Sequence, residues 1–185
     1  LLLVAVSLVL GLLTQSYIKS TYRTWSRVPA NGYATGADIA RRMLASEGCH
    51  DVGVRSTPGE LTDHYDPRDN NLYLSAANLN GGSVASVAVA CHEAGHAVQR
   101  AKGYAFMRFR TALVPVVNFA SNAWMIVFLM GVFMNVSGLT TLAIALFSFS
   151  ILFQLVTLPV EFDASRRAVA YIETSGMGEA AVRGA

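Results

Sequence analysis

Charge is missing from two long stretches of this chain. No Asp, Glu, Lys, Arg or His occurs from Leu1 to Ile18 or from Thr111 to Val160, so all 14 basic and 12 acidic residues lie between Lys19 and Arg110 or after Val160. Only 14% of residues are charged, 53% are hydrophobic and the mean hydropathy is +0.41, which excludes an ordinary soluble domain and makes a membrane protein the first expectation. Cysteine is nearly absent too. Cys49 and Cys91 form no CxxC, and Cys91 reads as a small buried residue rather than a ligand. The net charge of +2 gives nucleic-acid binding no support, and there is no internal repeat.

A bilayer crossing takes roughly 20 apolar residues, so the second uncharged stretch has room for a hairpin of spans at about 113–134 and 139–160, turning at Asn135-Val136-Ser137-Gly138. The first stretch, "LLLVAVSLVLGLLTQSYI", reads as another span, one expected to begin inside a longer helix because it lacks a methionine. A cleaved signal peptide has a similarly short apolar region, but no A-x-A-like site precedes the Lys19, Arg23 and Arg27 flank. If three spans alternate, all basic flanks fall on one side: Lys19, Arg23 and Arg27; Arg100, Lys102, Arg108 and Arg110; Arg166 and Arg167. The positive-inside rule makes that side cytoplasmic. Both cysteines then face a reducing compartment, where no disulfide is expected. Asn135-Val136-Ser137 matches a glycosylation acceptor, a tripeptide that recurs by chance.

Between the first span and the hairpin, residues 19–110 suffice for one small α+β domain. "TGADIARRMLASEG" reads as a helix capped by Thr35 and stopped at Gly48. A short strand "DVGVR" follows, then two extended pieces around the turn-forming run Asp66-Pro67-Arg68-Asp69-Asn70. The second piece, Asn71 to Ser75, either pairs with an extended substrate by β-augmentation or is a plain structural edge strand. "GGSVASVAVACHEAGHAVQRAKG" reads as one helix over about 83–102, opened by Ser83. It is rich in small residues that let another backbone come close.

Inside that helix stands His92-Glu93-Ala94-Gly95-His96. Residues four apart share a helix face, so both imidazoles can point at one ion, while Glu93, rotated about 100° from His92, stays beside the ligands. A zinc ion so held acidifies its water to a pKa near 7, and the neighbouring carboxylate can take the proton. Buried hydrogen-bonded histidines are the plainer alternative. The longer HExxHxxGxxH pattern fails, since Gln99 and Lys102 stand at its Gly and His, and no histidine follows His96. Downstream carboxylates are Glu161, Asp163, Glu173 and Glu179. Glu161 emerges from the last span, with Pro159 expected to reset the helix there, and is the favoured third ligand; the plainer reading is an interfacial charge. Small residues Ala164, Ser165 and Ala168 would let its helix pack on the motif helix. Asp163 is the reserve, better suited to supporting a ligand. His50 and His64 are upstream alternatives. Tyr65, His64 and Arg110 are candidates for stabilising an oxyanion.

Together "LTDHYDPRDNNLYLS", "VAVACHEAGHAVQ", "FRTALVP" and "FQLVTLPVEFDASRRA" resemble the neutral zinc metallopeptidases of the YugP-like membrane family. The resemblance implies an α+β, mainly helical, zincin-like membrane protein with a small sheet and about three transmembrane helices. The resemblance leaves in place the order read from the charge pattern: a first helix at 1–18, a cytoplasmic domain at 19–110, a transmembrane hairpin at 111–160 and a cytoplasmic helix at 161–185. It also implies a Zn2+ cofactor, His92, His96 and Glu161 as ligands and Glu93 as the catalytic residue. HtpX-type membrane proteases are similar in placing a hairpin of spans between HExxH and a glutamate ligand; the Asp that follows that ligand by four residues there is Ser165 here. Members usually carry a further apolar stretch after the point reached by "GMGEAAVRGA", so trimming is expected. The expected protein is an endopeptidase of the bacterial plasma membrane, acting at its cytoplasmic face on peptides or membrane proteins. The rivals are a non-catalytic, zinc-stabilised subunit of a larger membrane complex and a hydrolase of non-peptide substrates.

Overall fold

A computed structural model describes residues 2–30, 32, 34–177 and 184, without the side chains of 2–8; Leu1 and Glu179 lie outside the described residues. Most of these residues are helical. The elements are α1 (Leu2–Trp25), α2 (Gly36–Ser46), β1 (Gly53–Thr57), β2 (His64–Asp66), β3 (Asn71–Ser75), α3 (Ala76–Asn80), α4 (Val84–Ala101), α5 (Ala105–Phe133) and α6 (Ser137–Thr174). They divide into two compact units, residues 1–98 with 164–185, and residues 99–163; both α4 and α6 run unbroken through the dividing points.

In the first unit the local signals determine the ends of elements. Thr35 and Asp38 close a capping box at the start of α2, each side chain accepting from the other's backbone N–H, and Gly48 ends the helix at φ +76°. Ser83 Oγ accepts from the Ser86 N–H at 3.1 Å, capping α4. The sheet has the order β1-β3-β2, with β1 parallel and β2 antiparallel to β3. This corrects the reading of Asn71 to Ser75 as an edge strand open to a substrate: β3 is the central strand, paired with β1 along Asn71 to Ser75 and with β2 at Asn71 to Tyr73. Leu72 and Leu74 of β3 are fully buried, as are Met43 of α2, Val87 of α4 and Ile172 of α6, so each of these elements contributes to the apolar core. The segment that follows α1 is tied to the start of α4 by a bridge between Pro29 and Ser83 and by the Val84 N–H donating to Val28 O at 2.8 Å.

The second unit is a helical hairpin. α5 ends at Phe133 with Met134 as its C-cap, Asn135 takes a left-handed φ of 52°, and α6 begins at Ser137, so the turn lies where the sequence puts it. Near the turn Gly131 lets the helices approach: a Cβ there would lie 2.7 Å from the Thr140 nitrogen. Further along, Trp124 and Phe147 rings pack with centroids 4.8 Å apart. The outward side chains are apolar and bare, Phe119 at 69% and Phe133 at 84% exposure, a surface suited to lipid rather than water. Among the described residues, α5 and α6 are the two helices long and apolar enough to cross a membrane; a third is not established. Pro159 does not reset the chain but stands inside α6, which continues to Thr174.

Candidate metal centre

The site is built on two helices. On α4, His96 is buried and His92 and Glu93 half-buried; the two imidazoles meet edge to face, ring centroids 4.8 Å apart, as one helical turn between them requires. The surrounding Ala90, Ala94 and Ala97 are buried. Small residues here let a second helix approach. A Cβ on Gly95 would lie 2.8 Å from Ala164 O and 3.2 Å from its Cα, so α4 and α6 touch backbone to backbone at this level.

Two polar contacts fix that pairing. His92 Nδ1 lies 3.1 Å from Ser165 Oγ. One turn beyond His96, the buried Gln99 amide donates to Val160 O at 2.7 Å and to Asp163 Oδ2 at 3.0 Å. Glu161 stands four residues before Ser165, on the same face of an unbroken helix. Its carboxylate and one ring nitrogen from each of His92 and His96 all lie within 4.8 Å of one another. Two imidazole nitrogens and a carboxylate oxygen are the donor set of a zinc site with one position left for water or substrate, so these three residues could hold the ion. With Nδ1 of His92 engaged by Ser165 Oγ, Nε2 is the nitrogen left to serve as ligand.

The other candidates are placed as follows. Asp163 is buried and accepts from Gln99, outside the ligand group, and Ser165 supports His92. Arg110 Nη2 lies 3.9 Å from Glu161 Oε1, and its buried Nε has no hydrogen-bond partner among the described residues. Tyr65 is turned to other work, its hydroxyl donating to Asn70 Oδ1 at 2.6 Å. His64 stacks on Tyr73, with Nδ1 2.8 Å from Thr62 O. His50 is exposed beyond α2. Cys91 is fully buried, and burial pushes its thiol up to about 12, so it packs as a neutral side chain.

Gln99 and Asp63 carry more than sequence reasoning gives them. The one available signal for Gln99 was a polar residue three places after His96 on an apolar helix. Asp63 accepts from Ser75 N at 2.7 Å and from Asn78 Nδ2 at 2.9 Å; it fixes the loop before β2 beside the site, and nothing in its spacing foretold this.

Comparison with known proteins agrees with the geometry. A family model described as "Putative neutral zinc metallopeptidase" matches residues 1–185. The chain is 43% identical over 162 residues to the "Putative membrane protease YugP" of Bacillus subtilis (strain 168), covering 88% of this chain and 72% of that one. No solved structure matches significantly.

Proposed function

Since the chain belongs to this neutral zinc metallopeptidase family, we propose that it is a membrane-embedded endopeptidase that hydrolyses peptide bonds at the cytoplasmic membrane face. The single observation that carries the reading is the convergence of His92, His96 and Glu161 within 4.8 Å with Glu93 adjoining on the same helix. A zinc ion bound there supplies Lewis acidity for the scissile carbonyl and lowers the pKa of water toward 7.

The chain's own residues do the rest. Glu93 accepts the proton of the attacking water, whose oxygen bonds to the carbonyl carbon; as the C–N bond breaks, Glu93 returns that proton to the departing amine and is restored. Arg110, beside Glu161, is the candidate to balance charge on the carbonyl oxygen. Ser165 and the Gln99–Asp163 pair hold the ligands in register. The cytoplasmic placement rests on the basic flanks of the apolar helices, with α1 as a third span.

The test is Glu93→Gln. A general base contributes about 10²- to 10⁴-fold, so proteolysis of a membrane-protein substrate should fall by at least about 100-fold while zinc content stays at the wild-type level. Proteolysis equal to wild type would remove the mechanism.

A further inference from the structure

Within the first unit, a cleft of about 380 Å³ ends at His92 and Glu93, a volume in the range of ligand-binding pockets. Its floor is the preceding two turns of α4, where Ala85, Ala88 and Val89 share a helix face with the site. Ala88 and Val89 are half-open to solvent, and the short side chains create the space. α1 forms the facing wall through Ile18, Tyr22 and Trp25, one helical face at i, i+4 and i+7.

Two polar groups at the rim are already engaged. Tyr22 donates its hydroxyl to Asn78 Oδ1 at 2.8 Å, and Asp63 is saturated by Ser75 and Asn78. Leu61, also lining the cleft, is 38% exposed and held at φ +54°, a conformation costly for a bulky residue and characteristic of ligand clamps. Its loop is braced by Thr62 Oγ1 donating to Pro58 O at 2.9 Å. No Lys or Arg is among the described lining residues, so an acidic side chain would be desolvated without a partner.

We propose that this cleft is the specificity pocket of the peptidase and receives a large uncharged apolar side chain, such as Phe or Leu, next to the scissile bond. The inference rests on the peptidase reading and adds the substrate class. It makes α1 part of the substrate site, with Leu61 closing over the bound side chain.

The experiment uses the full chain in lipid nanodiscs with zinc and a peptide series varied at one residue beside the cleaved bond. The wild type should show kcat/KM for Phe or Leu at least about 10-fold above Gly or Asp, the scale that apolar pockets provide. Ala88→Leu, which fills the floor, and Trp25→Ala, which removes the wall, should each reduce the Phe-to-Ala ratio by about 10-fold with zinc content unchanged. Proteolysis with the same ratio in both variants, or a preference for a charged residue, would overturn the pocket while leaving the peptidase intact. Zinc-loaded protein that cleaves no peptide in the series would overturn the peptidase reading and the pocket with it.

Discussion

Ser165 shows how much a single hydroxyl can carry. Its Oγ, 3.1 Å from His92 Nδ1, orients the ring, and loss of such a partner costs about 10- to 100-fold in metal affinity. Ser165→Ala is therefore expected to weaken zinc binding by that factor, read by competition with a chelator; wild-type affinity would make the contact incidental. A residue outside the candidate ligand group gives a pH signature. Asp66 accepts from the Arg68 guanidinium and backbone N–H, which hold its carboxyl at about 2 against an ordinary 3.8. The folded value lies below the unfolded one, so the contribution to stability is complete above about pH 4 and is lost as pH falls toward 2. Asp66→Asn should make the unfolding midpoint less sensitive to acid over that interval, as a thermal melt series from pH 5 to pH 2 would record.

Among the elements, the α4–α6 contact is the one the site depends on. Gly95→Leu would drive a side chain into the backbone of Ala164, where even a Cβ meets an oxygen at 2.8 Å. Overpacking of this kind costs about 1–3 kcal/mol, and parting the helices should also reduce zinc retention, measurable on the same sample as a lower melting temperature and lower metal content. The sequence disclosed much of this level. The capping box at Thr35, the helix opened by Ser83 and the turn at Asn135 are local signals, and local signals survive without tertiary knowledge. Small residues at Gly95, Ala164 and Ala168 correctly announced a close helix pair. What was not legible was non-local: alternation in Asn71 to Ser75 marks a strand but not whether it is central, since pairing partners lie elsewhere in the chain. Pro159 misled for a related reason. A proline in the interior of a membrane helix is tolerated where other groups re-satisfy the backbone, and sequence alone does not reveal them.

For the molecule as a whole, apolar surface on α5 and α6 and basic flanks at their outer ends make the orientation testable. A cysteine introduced at Ser137, in the uncharged turn, should react with an impermeant maleimide added outside intact cells, while one at Arg167 should react only after permeabilisation; the reverse pattern would invert the proposed topology. The identity of the metal ligands is the central claim. It is tested most directly by zinc stoichiometry of the purified wild type beside His96→Ala, Glu161→Ala and Glu93→Gln. One zinc per chain in the wild type and Glu93→Gln, with loss in the other two, is the predicted result. Full zinc occupancy in His96→Ala or Glu161→Ala would contradict it.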